Sequence, residues 1–229
     1  NAEVAALERL LPPSADLRAL ERLAAVGAPS RAALQAGFAD QASRAAIALR
    51  APAADAGLAA RIGYALSSIV SIRRVDTTTG SGPDAILARA EKQAAEGDIE
   101  AALKTLATLP PGAAPALADW RAQAERRVEI DRRVAAVREC YEEAGVLLAV
   151  DADGRMVDDG HPALAHRSSV YDGTVDVRAL AESHGLRLAT DALPWMSHWI
   201  TPKGETTRRF DTRFFMVASP AGQTSHHDD

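Results

Sequence analysis

Along the first part of the chain, apolar positions recur at helical spacing and are cut by short clusters of proline, glycine and polar residues. Leu17, Leu20, Leu23 and Val26 mark a short helix, capped by Ser14 or Asp16 and stopped by Gly27 ahead of Pro29. Ser30 opens a longer helix whose stripe is Leu34, Phe38, Ala45 and Leu49, and Pro52 terminates it. Leu58, Ile62, Leu66 and Ile69 lie on one face of a third, followed by Arg73 and Arg74. Beyond the polar loop 77–82, Pro83 starts a helix carrying Ile86, Leu87 and Ala90. Gly97-Asp98 turns it into a second arm with Ile99, Ala102, Leu103 and Leu106, which together make a helical hairpin. After Pro110-Pro111-Gly112, a long helix from about Pro115 carries Leu117, Trp120, Val128, Val134 and Val137.

At Gly145 the period changes. Val146 to Val150 is a short apolar run that reads as a strand, and Asp151-Ala152-Asp153-Gly154 reads as a turn. Asp151 and Asp153 are spaced like the opening of a calcium loop, but later ligands do not follow at the required spacing, which favours turn chemistry. A helix is expected over Val175 to Leu188, ending near Gly185, then two strands, His198 to Pro202 and Arg209 to Phe215, joined through Lys203-Gly204-Glu205. In the second strand Phe210, Thr212 and Phe214 alternate with Asp211, Arg213 and Phe215. The predicted class is α+β, an all-α half over 1–135 joined through the long helix to a sheet-containing half over 136–229.

Composition narrows the choices. The 229 residues are 47% hydrophobic, enough for a core, and the net charge of -5 argues against a general nucleic-acid binder. The single cysteine, Cys140, excludes an internal disulfide and suits a sheltered thiol. No apolar run approaches the roughly eighteen residues of a membrane span. Asn1 opens the sequence without an initiator methionine or a signal-peptide pattern, as expected of a polypeptide that begins inside a longer product.

The chemistry concentrates in Arg138-Glu139-Cys140-Tyr141-Glu142-Glu143-Ala144-Gly145-Val146. On a helix Glu139, Glu142 and Glu143 crowd one face, where like charges cost a few tenths of a kcal/mol each, so a positive partner is required. Arg138 offsets part of the repulsion, and an oxygen-rich cluster suits a hard cation such as Mg²⁺ or Mn²⁺. The same spacing also fits a solvated acidic surface. Arg-Glu-x-x-Glu-Glu-x-Gly-Val resembles the second half of the Nudix box, the signature of Mg²⁺-dependent hydrolases of diphosphate-linked compounds. The resemblance implies that Glu139, Glu142 and Glu143 bind the metal that activates water, and that Arg138 orients them. The family's glycine fourteen residues before the arginine and glutamate eight before it are replaced by Ala124 and Ile130. One residue along a helix is a rotation of roughly 100°, so the adjacent Glu125 and Glu129 are not simple replacements.

Two further strings, Trp199-Ile200-Thr201-Pro202 and Arg209-Phe210-Asp211-Thr212-Arg213-Phe214-Phe215, resemble the segment after the box in the branch related to coenzyme A diphosphatases. The resemblance implies a partial Nudix-like α/β/α sheet and a diphosphate-containing small molecule, nucleotide or coenzyme A-like, as substrate. Arg208, Arg209 and Arg213 suit phosphate contacts or, alternatively, pairing with Asp211 or Glu205. His161 and His166 read as solvent-facing, and His226-His227-Asp228-Asp229 as an unstructured terminus.

The helical half is similar to the C-terminal domain of bacterial mitofilin-like proteins through 67–75, Ile86 to Glu91 with Gly97-Asp98, and Ala118-Asp119-Trp120. That resemblance implies a membrane-organising scaffold, with self-association or membrane-surface contact through the helices. The two likenesses point to different places: the cytoplasm for the Nudix-like half, the periplasmic face of an inner membrane for the mitofilin-like half. A third reading is a fusion joined at Arg132 to Arg138, with a catalytically inactive appendage.

Overall fold

The computed structural model describes residues 28–51, 57, 64, 80–202 and 211–226. The expected helices over 17–26 and 58–69, and the arginines 208 and 209, lie outside the described residues. The architecture is mixed α+β, with a helical stretch first and small antiparallel sheets later in the chain. Two compact units part between Glu129 and Ile130.

In the helical unit, α1 spans Arg31–Leu49, and the Ser30 hydroxyl accepts the Ala33 amide at 3.1 Å, satisfying one of the free donors of the first turn. It buries Leu34, Phe38, Ala42, Ala45 and Ala46. Helices α2 (Pro83–Ala95) and α3 (Ile99–Leu106) form the expected hairpin. Gly97 takes a φ of +83°, and the Asp98 carboxylate caps α3 by accepting the Ala101 amide at 2.9 Å. A 3-10 turn, Pro111–Ala113, leads into α4, Ala114–Ala144.

Small side chains let these helices approach closely around Phe38 and Trp120. Their rings meet edge to face with centroids 4.8 Å apart, and the indole Nε1 donates to the Leu34 carbonyl at 2.9 Å. Leu87, Ile99, Leu106 and Leu117 complete this core. Arg50 and Asp84 pair at 3.0 Å but are about half exposed, so their contribution is small.

The C-terminal unit is built on the last turns of α4. Val137 and Tyr141 pack with 146–150, Val157, Val170, Val177, Leu180 and Leu193. The apolar run yields only a two-residue strand, β1 (Ala149–Val150), because its neighbours are short. Antiparallel β2 (Arg187–Leu188) pairs Ala149 with Leu188 and Val150 with Arg187, and Met156 bridges Val150. The turn between is the expected one: the Asp151 carboxylate accepts the amides of Asp153 and Arg155, both at 2.9 Å, and Gly154 has a φ of +80°. A 3-10 helix (Pro162–His166) runs into α5 (Arg167–Tyr171). The helix expected over 175–188 is the shorter α6, Val177–Ser183, capped by Asp176 and followed by Gly185 at a φ of +65°.

Strands β3 (Trp195–Ile200) and β4 (Asp211–Phe215) form a second, separate antiparallel pair. Trp195 opposes Phe215 but Ser197 opposes Phe214, so Met196 is the extra residue of a bulge.

No helix among the described residues is long and apolar enough to cross a membrane. Even the 31-residue α4 carries charge every few positions from Asp119 to Glu143. The expected inner-membrane placement is corrected on this ground, since lipid accepts such a helix only at heavy desolvation cost.

Candidate functional site

The carboxylates singled out above lie on the last two turns of α4, where the helix stops because Gly145 adopts a φ of +70°. Arg138 reaches two of them. Its Nη2 donates to Glu139 at 2.5 Å and its Nη1 to Glu142 at 3.3 Å. Glu139 remains 58% exposed at its side chain, whereas Glu142 is 9% exposed, and Glu143 faces solvent. The sequence thus placed all four residues on one helical end, and the counter-charge within that set is a guanidinium.

A second guanidinium closes the helix. Arg167, the first residue of α5, donates through Nε and Nη2 to the Glu142 carbonyl at 3.1 and 2.9 Å, and through Nη2 to the Glu143 carbonyl at 3.2 Å. These carbonyls lack partners within the helix, and a cation at this negative pole is stabilising by about 0.3–1 kcal/mol. No motif in the sequence links Arg167 to Glu142, twenty-five positions away.

The expected Mg²⁺ or Mn²⁺ is corrected here. Among the described residues no group of three or more histidine, cysteine, aspartate or glutamate side chains is arranged to hold a metal ion. Residues at i, i+3 and i+4 share a helix face, but converging on one ion also requires their oxygens to turn inward together. Here Glu139 and Glu142 turn to Arg138 and Glu143 to water, so the donor set does not fit a hard cation.

Of the two residues between the carboxylates, Tyr141 belongs to the core and Cys140 packs, half-buried, against it. Tyr141 is fully buried, its hydroxyl 2.9 Å from the Ala163 carbonyl and 3.0 Å from that of Leu164. Burial pushes its pKa up to about 12, against smaller lowering effects of the His166 backbone and Arg167. Burial likewise raises the Cys140 thiol, which suits an inert sulfur.

Three histidines come together nearby. His161 and His166, expected to face solvent, are half-buried, with ring centroids 5.9 and 5.6 Å from that of His184. The Nδ1 of His161 accepts the Ala163 amide at 3.2 Å, a capping role that leaves Nε2 as the protonated nitrogen of the neutral ring.

Gln223 is a further residue with no sequence signal. Its Oε1 accepts the Leu147 amide at 2.9 Å, and its Nε2 donates to the carbonyls of Leu147 and Val157 at 3.0 and 2.8 Å. Beside it the Thr224 amide and hydroxyl donate to the Asp159 carboxylate, and the His226 amide donates to the Ala144 carbonyl at 2.8 Å. In β4, Arg213 lies over Trp195, its guanidinium carbon 5.9 Å from the ring centroid, while Asp211 pairs with His198 at 2.5 Å.

Around this ribbon the surface is apolar. Trp195, Met196, Trp199, Ile200, Phe214 and Met216 are each between 43% and 60% exposed. No family model and no solved structure matches this chain.

Proposed function

We propose that the chain is a non-catalytic interaction module: a helical scaffold followed by a Nudix-like unit that has kept the framework of the box without its chemistry. The apolar ribbon carries this reading. Except for Tyr171, the exposed large hydrophobic side chains of the described residues lie between Trp195 and Met216, whereas those of the helical unit are turned inward. A cluster of this kind on an otherwise ordinary surface marks a contact site. The Nudix-like ancestry is supported by a run of arginine and glutamates that ends a helix at a positive-φ glycine and leads into an apolar segment.

The carboxylates support the non-catalytic half of the reading. Pairing of Arg138 with Glu139 and Glu142 fixes them as part of the helix end, with Arg167 on the adjacent carbonyls. The mitofilin-like likeness of the first half agrees with a scaffold role, with the contact surface placed on the second half.

The test is incubation of the full chain with coenzyme A and magnesium, following phosphoadenosine diphosphate. The expected result is no product above a blank, for the native chain and Glu142→Gln alike. Product formation that Glu142→Gln abolishes would return the chain to the hydrolases.

A further inference from the structure

We infer that the outer edge of β4 receives a second copy of this chain, the two strands pairing antiparallel about Thr212 to make one four-stranded sheet. This rests on the reading of the chain as an interaction module and names its partner. Among the described residues β3 and β4 pair only with each other, so each has an outer edge that no described strand covers. They are not equivalent. The bulge at Met196 kinks β3, a device that blunts an edge against pairing, whereas β4 keeps an uninterrupted register from Asp211 to Phe214.

The sequence of β4 is complementary to itself. A two-fold axis perpendicular to the sheet brings together residues of the same face, and an axis through Thr212 sets Asp211 opposite Arg213 of the second copy, and Arg213 opposite its Asp211. Thr212 then meets its own counterpart. Opposite charges and threonine pairs are both favourable across antiparallel strands, while centring on Arg213 would oppose two cations. Register therefore selects one arrangement.

Within each copy Trp199 opposes Thr212, so the joined sheet carries the row Trp199, Thr212, Thr212, Trp199 across one face. On the other face Asp211, paired with His198 of its own copy at 2.5 Å, also abuts Arg213 of the second copy, whose guanidinium lies over its own Trp195. Edge pairing covers less than the roughly 800 Å² per partner of a standard interface, which sets a weak, concentration-dependent dimer.

Sedimentation of the full chain over a concentration series tests this, with circular dichroism confirming that each variant is folded. The native chain is expected to double in mass as concentration rises. Asp211→Arg and Arg213→Asp each set like charges across the axis, and each is expected to weaken self-association at least about tenfold. An equimolar mixture of the two variants restores opposite charges at both positions and is expected to dimerise like the native chain. A native chain that stays monomeric throughout overturns the inference, as do single variants that dimerise undiminished or a mixture no better than its components. Hydrolysis of coenzyme A sinks the non-catalytic reading and leaves this result untouched, and a monomer does the reverse.

Discussion

The helical unit and the C-terminal unit bury similar kinds of apolar residue but close their surfaces differently. The first is sealed by small side chains and one aromatic pair, so that its polar backbone is satisfied inside its own helices. The second has, around its buried core, strands of only two residues and irregular connections, and it borrows side chains to complete its backbone: Arg167 for the end of α4, Gln223 for the edge of 146–150, and Tyr141 for the 162–166 turn. Where regular structure is scarce, single polar side chains take over the task of a neighbouring strand or helix turn, and the unit becomes sensitive to them one at a time.

Trp120→Ala probes the first strategy most severely. It removes the edge-to-face contact with Phe38 and a buried indole, and the expected loss is about 3–5 kcal/mol. Hydrogen exchange should show it as lost protection in α1 and α2. For the second strategy, Gln223→Ala leaves the Leu147 amide and the Val157 carbonyl without their partner, while the Leu147 carbonyl keeps the Ala149 amide at 3.0 Å, and the expected loss is about 2–4 kcal/mol. Its exchange signature belongs in 147–157, with the helical unit unchanged; protection lost equally in both units would erase the contrast between them.

Gly145→Ala is smaller. A Cβ there meets only Arg167 at 3.6 Å, so space is adequate, and the cost of about 1–2 kcal/mol comes from the φ of +70°. Denaturant titration followed at the tryptophans and by exchange in 141–150 measures it. Tyr141 adds a pH dependence. Because burial raises its folded pKa from 10 to about 12, its contribution is complete below pH 10 and is lost as pH climbs toward 12. Tyr141→Phe should flatten that part of the stability profile.

Glu142→Gln is expected to do least, under about 1 kcal/mol, because the amide oxygen still accepts from a partly exposed Arg138. A loss of several kcal/mol in thermal unfolding would mean the carboxylate supports more of the helix end than its single ion pair.

Features that depend on neighbours in sequence were legible from sequence. The Ser30 cap, Pro83, the Gly97-Asp98 turn and Gly145 each fix a local backbone conformation, and the stripes from Leu34 and Leu117 identified the buried faces. Spacing also brought Arg138 and the three glutamates onto one helical end. It did not decide where the oxygens point, because side-chain rotamers on an exposed helix follow the nearest cation, and the expected metal failed on that step. Gln223 lies seventy-six positions from Leu147, and the three histidines meet across separate segments, so no local period announces either. The bulge at Met196 depends on the pairing of two strands and is likewise invisible in one.

The amide of Gln223 has a consequence for assembly. By presenting a donor and an acceptor to Leu147, it imitates one rung of an added strand and ends hydrogen-bonded growth on that side. A protease cut between Met216 and Gln223 would withdraw this stopper, and the Leu147 amide, unpaired at that edge, should then lose its exchange protection.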